Sequence, residues 1–499
     1  MHGKTMTRVG ILVSLMSWAT AGTAAMNCDD IQASLAGKAV GVVCFHSDDL
    51  RTNNSVTTPA NNSITTFADG TPLPGLLSGA NSFTPITDRG VISNGPTPTA
   101  AAVPGIQVEG WFANDPVQQA RFVLRFPDSW NGKLVVAGAS GTRSEYNGDW
   151  AWSDYVLPKG YAYASQNKGV LNLYLVSLAS ATQPASDPLA CRLNPDSQVW
   201  VHFYDNDPQT PFYLWAKYMV FTTWFAQATA KTAYGSYPQR TYAVGTSNGG
   251  YQVRRAIEMA PSSFDGGVDW EGTFVDPNGP NILIDLPPAI ANFPAYVASN
   301  YDPNSPAAQA ILAAGYPPDI VNRSVSPPDS MWGRYSGQFW EVTACQWQER
   351  FDPTYPTYTA GLGNYNYLAR IGIPGVFTSV AAVATTGKVT KPLVTVAGTM
   401  DALLPIQRQA RAYEAEVNSK GFGAPYRLYE VQNGNHIESY ATFYPQLEVI
   451  QPHAQKAFDL LVSSVEANAP LPPSQCVPRG GTISASPSQP GHCANLFVP

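Results

Sequence analysis

Residues 245–250 read GTSNGG, and Ser247 has a glycine two positions away on either side. A serine hydroxyl is a weak nucleophile at neutral pH. It needs a base within hydrogen-bond reach and a backbone that holds it clear of the fold. A strand running straight into a helix meets the second need with a tight, strained turn, which tolerates only small residues two positions either side of the nucleophile. Gly245 and Gly249 satisfy that demand. Thr241 to Val244 reads as the strand. Val253, Ala256, Ile257 and Ala260 then recur with the period of one helix face, and Pro261 ends the run. An ordinary Gly-rich surface loop would lack this strand–turn–helix context.

The same turn offers a place for negative charge. The first N–H groups of a helix have no intrahelical partner and lie at the positive end of its dipole. Asn248 would supply one such donor to a developing oxyanion. A second donor in this geometry comes from the loop after an earlier strand. The stretch LVVAGASG fits, with Leu134 to Ala137 as the strand and Gly138, Ala139, Ser140 and Gly141 as the loop.

The base emerges by elimination among six histidines. In a nucleophile-elbow fold the histidine follows the serine and the acid in chain order, which leaves His436, His453 and His492. His436, in QNGNHIES just after the strand-like RLYEV, is the best placed. His453 lies in a helical stretch, and His492 neighbours Cys493 near the C-terminus. The acid must orient the imidazole and stabilise its protonated form. Asp401 lies in LVTVAGTMDALLPIQ, past a strand and before a helix, where a helix N-cap is its plainer role. Asp269 and Glu271, in GVDWEG, are the rivals.

These residues need a sheet to carry them. From about residue 105, IQVEGWF, FVLRF, LVVA, YAYAS, TYAV, FDGGVDW, LVTVA and RLYEV read as short strands, and helical stretches such as PFYLWAKYMVFTTWFAQATAKTA lie between the later ones. Strands alternating with helices imply a mostly parallel sheet covered on both faces. The close spacing of the first strands implies an antiparallel leading edge. The fold class expected is therefore α/β, with an α/β-hydrolase arrangement. Residues 272–388, dense in Pro, Asn and aromatics, interrupt the alternation and read as a lid inserted between hydrolase segments 26–271 and 389–499. Residues 50–104 read as irregular surface structure.

Chain-wide properties narrow the function. A net charge of -7 with no run of Lys or Arg argues against a nucleic-acid partner. Lys4 and Arg8, the apolar GILVSLMSW and the small residues ATAGTAA read as an export leader cut after Ala25, too short to span a bilayer. No lipobox precedes Cys28, and no other stretch is long and apolar enough to cross a membrane. The expected location is the periplasm or the medium. The remaining chain carries Cys28, Cys44, Cys191, Cys345, Cys476 and Cys493 without metal-ligand spacing, which reads as a disulfide framework. Proximity pairs Cys28 with Cys44 and Cys476 with Cys493, leaving Cys191 with Cys345. There is no HExxH, Walker loop or strand-linked GxGxxG, so no metal or nucleotide chemistry is indicated.

The stretches FPDSWNGKLVVAGASG, PKGYAYASQNKG, AYGSYPQRTYAVGTSNGGYQ, RRAIEMAPSSFDGG, PLVTVAGTMDALLPIQRQARAYEAEV and RLYEVQNGNH together resemble the tannase and feruloyl esterase family of secreted α/β-hydrolases, over about residues 122–440. The resemblance implies ester hydrolysis by a Ser247, Asp401 and His436 triad. The substrate expected is an aromatic ester of the tannin or feruloyl kind, small or oligomeric, and no cofactor is required; the alternatives are aliphatic hydroxyacid oligomers or polyesters, then amides or peptides, and a non-catalytic binding protein of the same fold. The sequence departs from that family in three ways. The cysteines expected before the serine and after the histidine are Thr246 and Ile437, so the disulfide joining them cannot form. A structural calcium in the lid has no matching ligand pattern. Trp270 and Glu271 replace the small residues usual after FDG. With Trp332 and Trp340 of the aromatic lid, they are the expected substrate contacts, although a Pro-rich insertion also needs aromatics for its own core.

Overall fold

The computed structural model describes residues 27–51 and 101–499, apart from 117, 142–144, 148–149, 171–172 and 204–211. The expected leader (1–25) and most of the irregular segment 50–104 lie outside the described residues.

One sheet carries the candidate residues. Its strands are β1 (Ala39–Ser47), β2 (Gly105–Phe112), β3 (Arg121–Pro127), β4 (Lys133–Gly138), β5 (Ala162–Gln166), β9 (Arg240–Thr246), β10 (Gly266–Trp270), β13 (Leu393–Gly398), β14 (Tyr426–Val431) and β15 (Gln475–Val477). The five other strands are short: β6 (Leu173–Ser177), β7 (Cys191–Arg192) and β8 (Trp200–Phe203) make a small sheet, and β11 (Val321–Asn322) and β12 (Asp329–Ser330) pair in the lid. The main sheet runs in the order β1-β2-β3-β5-β4-β9-β10-β13-β14-β15. The pairs β1/β2, β2/β3 and β3/β5 are antiparallel, and every neighbouring pair from β5 to β15 is parallel. This is an α/β-hydrolase fold with an antiparallel leading edge.

The strand sequences explain the layering. In a parallel sheet covered on both faces the strands are continuously apolar, and GGVDW of β10 and LVTVAG of β13 are buried at every position. Side chains alternate between two cores. Leu134, Val136 and Ala243 enter one core with the helices Tyr213–Tyr234, Asn248–Met259 and Ala410–Ser419. Val135, Ala137, Tyr242 and Val244 enter the other, with Trp152 and the helix Gln451–Ala467.

The lid has a third core. Its helices run from Ile282–Ala298 to Val376–Val383 and bury Tyr296, Trp332, Tyr335, Trp340 and Trp347 in a cluster that also takes in Met400, Ala402 and Tyr440 from the hydrolase loops. The first of these helices forms despite Pro287, Pro288 and Pro294 within it. The small β6-β8-β7 sheet was not legible in the sequence as part of this layer. It is stapled to the lid helix Glu341–Phe351 by the disulfide Cys191–Cys345 and by an ion pair between Arg192 and Glu341 at 2.9 Å. The other disulfides are Cys28–Cys44 and Cys476–Cys493, so all three expected pairs are present. Among the described residues no helix is long and apolar enough to cross a membrane.

Cys191–Cys345 bridges a sequence separation of 154, against 16 and 17 for the other two. Closing a long loop removes more freedom from the unfolded chain. Replacing both cysteines with alanine is expected to cost about 2–5 kcal/mol, read as a lower urea midpoint. An unchanged midpoint would show that the lid and the small sheet are held without the bridge.

Candidate active site

Ser247 stands where β9 meets the helix Asn248–Met259. Its backbone is at φ 57 and ψ -121, a left-handed φ that a residue with a Cβ rarely adopts. The neighbours hold it there. Ser247 N–H donates to Trp270 O at 2.8 Å, and Tyr251 N–H donates to Ser247 O at 3.0 Å. A Cβ on Gly245 would sit 2.4 Å from the carbonyl of Gly249, and one on Gly138 would sit 2.6 Å from the same oxygen. The three glycines therefore let the elbow, the first helical turn and the 138–141 loop close on one another. Asn248 begins the helix, so its N–H has no helical acceptor and lies beside Ser247.

His436 and Asp401 complete a continuous chain of hydrogen bonds. Asp401 follows β13 and His436 follows β14, the adjacent strand. Leu403 and Leu404 N–H donate to Asp401 Oδ1 at 2.8 and 2.7 Å. Asp401 Oδ2 lies 2.8 Å from His436 Nδ1, and His436 Nε2 lies 3.0 Å from Ser247 Oγ. With the carboxylate as acceptor, Nδ1 carries the proton and Nε2 is left to accept one from the serine. Asp401 serves both as a turn cap and as the partner of the imidazole. His453 pairs with Glu448, and His492 with Glu430, away from this chain.

The loops bearing the acid and the histidine are bound to each other without a disulfide. Met400 N–H donates to Gly434 O at 2.8 Å. Asn435 Nδ2 donates to Met400 O at 2.6 Å, while its Oδ1 accepts from Tyr335 O–H at 2.7 Å and Ile437 N–H at 3.0 Å. Trp340 Nε1 donates to Ala402 O at 2.7 Å. A buried asparagine and two lid aromatics thus brace the site where Thr246 and Ile437 stand.

The two rival acids part company. Asp269 is fully buried and committed to structure: its carboxylate accepts from Arg254 Nε at 2.5 Å, Gly272 N–H at 2.7 Å and Thr395 Oγ1 at 2.7 Å. Glu271 turns the other way, at φ 54. Its Oε1 accepts from Gly398 N–H at 3.1 Å, and its Oε2 lies 3.6 Å from His436 Nδ1. Burial and the neighbouring Asp401 charge push the Glu271 carboxyl well above the usual carboxylate range. For His436, burial disfavours the charge, but the Asp401 carboxylate and then Glu271 outweigh it and raise its pKa to about 9. Among the described residues, Glu271, Asp401 and His436 are the one set of three metal-ligand side chains that converges.

Three of the expected substrate contacts are corrected. Trp270 is buried in the core beneath the sheet, edge-on to Trp152 at 6.4 Å, because alternation along β10 points it away from the elbow. Trp332 and Trp340 are 1% and 0% exposed and lie in the lid core. Their indole N–H groups are taken by Pro317 O and Ala402 O. Glu271 alone of the four reaches the site.

Support for the 138–141 loop comes from residues not singled out in the sequence. Lys168 Nζ donates to Gly141 O at 2.9 Å and Ala139 O at 3.3 Å. Gln252 Nε2 donates to Ala139 O at 2.9 Å, and Gln166 Nε2 donates to Gln252 Oε1 at 2.5 Å. Ser140 is buried in this loop. A lysine and a glutamine in QNK directly after a strand were the available signal.

Residues 370–496 match the family described as 3HB-oligomer hydrolase (3HBOH). The matched part contains Asp401 and His436. D-(-)-3-hydroxybutyrate oligomer hydrolases of Burkholderia mallei and Burkholderia pseudomallei are 34% identical over 122 residues, which is 23% of this chain and 18% of each relative. The match thus spans less than a fifth of those relatives' length. Among solved structures, the chain is similar to feruloyl esterase B from Aspergillus oryzae (TM-score 0.47, 13% identity, 88% of this chain and 91% of that one). It is also similar to tannin acyl hydrolase from Aspergillus niger (0.38, 13%, 74% and 80%) and to the rice cell wall degrading esterase LipA from Xanthomonas oryzae (0.41, 12%, 75% and 95%).

A base must be neutral to accept a proton, and His436 titrates above the ordinary histidine range. Activity that depends on it is expected to rise with pH, with the rising limb of kcat/KM displaced upward from about 6.5 towards 9. A pH profile on a neutral ester checks this. A rate that increases on acidification would contradict it.

Proposed function

We propose that this protein is an exported serine carboxylic-ester hydrolase. The observation that carries the reading is the unbroken chain from Ser247 Oγ through His436 to Asp401, at 3.0 and 2.8 Å. In the proposed reaction Ser247 Oγ attacks the ester carbonyl while its proton passes to His436 Nε2. Asp401 holds the imidazolium. The oxyanion is met by the N–H of Asn248 and by N–H groups of Gly138, Ala139 and Ser140. Collapse expels the alcohol, which takes the proton from Nε2, and leaves an acyl-serine. Water, activated by the same nitrogen, then releases the acid and restores Ser247. Export is supported by the leader-like N-terminus and the three disulfides.

For the acyl group, aliphatic hydroxyacid oligomers are favoured over tannin- or feruloyl-like aromatic esters. The match to 3-hydroxybutyrate oligomer hydrolases includes the loops that carry Asp401 and His436. The tryptophans that would have offered an aromatic platform are core residues. The aromatic reading rests on the sequence resemblance.

The test is hydrolysis of p-nitrophenyl acetate, methyl ferulate, methyl gallate and a 3-hydroxybutyrate oligomer by the protein and its Ser247→Ala variant. Turnover should fall by at least about a thousandfold in the variant, and the oligomer should be the best substrate. Turnover that survives in the variant would remove Ser247 from the mechanism. A preference for ferulate or gallate would restore the aromatic reading.

A further inference from the structure

Two carboxyl groups face one imidazole nitrogen. Asp401 Oδ2 is 2.8 Å and Glu271 Oε2 is 3.6 Å from His436 Nδ1, which has a single proton to share. Both acids come between the serine and the histidine in chain order. They sit at the ends of adjacent parallel strands, with Trp270 paired to Val396 one step before the turn. We propose that Glu271 is a reserve acid, a positioning residue that takes the Nδ1–H of His436 when Asp401 carries no charge. The proposal rests on the serine-hydrolase reading above.

The placement of Glu271 supports a dedicated role. Its backbone lies in the left-handed region at φ 54, where glycine is the easier residue. Its N–H donates to Val396 O at 2.9 Å, which fixes the turn. Gly398 N–H holds one carboxyl oxygen. The other oxygen is buried without a hydrogen-bond partner and faces the imidazole. An unsatisfied buried oxygen is costly, and the Nδ1–H that Asp401 holds lies on a nitrogen 3.6 Å away.

The two acids differ in their hydrogen-bond donors. Asp401 has two backbone donors on Oδ1 besides the imidazole on Oδ2, whereas Glu271 has one backbone donor. The groups that act on Glu271 are Asp401, His436 and Glu438, with the Tyr335 phenol from the lid also coupled to it. Two carboxylates this close to each other do not both ionise readily. Burial, and then the Asp401 charge beside it, keep the proton on Glu271. Removing the Asp401 charge lifts the second of these restraints and leaves burial, which the pairing with the imidazole has to offset. Glu271 then releases its proton to solvent, and Oε2 accepts the Nδ1–H, so the tautomer that leaves Nε2 free is preserved.

The test is a double-mutant cycle on p-nitrophenyl acetate with Asp401→Asn, Glu271→Gln and the double variant, each followed by a pH profile of kcat/KM and a thermal melt. Loss of the acid alone can cost about four orders of magnitude through the wrong tautomer. Asp401→Asn is expected to retain at least about tenfold more activity than the double variant, and that remainder should disappear on acidification as Glu271 is protonated. Glu271→Gln should cost at least about tenfold more in the Asp401→Asn background than in the parent. The cycle is repeated with Asp401→Ala, so that a variant that fails to fold does not leave the matter undecided. Equal Glu271→Gln effects in both backgrounds would overturn the proposal. Ser247→Ala in the same assay separates the two levels: additive effects with an inactive Ser247→Ala remove only the reserve acid, while an active Ser247→Ala removes the serine mechanism beneath it.

Discussion

A single imidazole has to touch a hydroxyl and a carboxylate that issue from different strands. Ser247 leaves β9, Asp401 leaves β13 two strands away, and β10 runs between them. Parallel strands lie about 4.8 Å apart, so no side chain at the end of one strand spans that gap alone. His436 bridges it because it descends from β14 on a loop tied back to the Asp401 loop by Asn435 and Gly434. The register β9-β10-β13-β14 is what the site depends on. The strained serine and the interlocked glycines make sense as parts that keep the other end of the bridge fixed.

The same constraint accounts for two acids in one site. The strand between serine and aspartate must end somewhere, and it ends beneath the imidazole. The first residue past the strand, Glu271, lies in the space that the bridge leaves. Asp269, two residues earlier within the strand, is consumed by Arg254 and Thr395. Position along one short stretch, GVDWEG, thus separates a structural carboxylate from one that faces the imidazole.

Much of this was legible in the sequence, for local reasons. An elbow announces itself through glycines at fixed offsets, and the parallel strands through unbroken apolar runs. Chain order reduces six histidines to three. Ser247 and His436 were singled out on those grounds and Asp401, with Asp269 and Glu271 as rivals, through the family resemblance; the fold brings the three into contact. What was not legible depends on contacts far apart in the chain. Trp270, Trp332 and Trp340 have the composition of a binding platform, but strand alternation and lid packing turn them inward. The β6-β8-β7 sheet is made of short strands whose partner, the lid helix Glu341–Phe351, lies some 140 residues further on, beyond the reach of any local pattern. Asn435 reads as a loop asparagine until Tyr335 and Met400 are seen against it.

The central claim is that Ser247 is a nucleophile made reactive by His436. Labelling with a fluorophosphonate, followed by peptide mass spectrometry, tests it without assuming any substrate. The account predicts one phosphonylated residue, Ser247, with a labelling rate that collapses in His436→Ala. A folded protein that takes no label, or takes it at another residue, would contradict it.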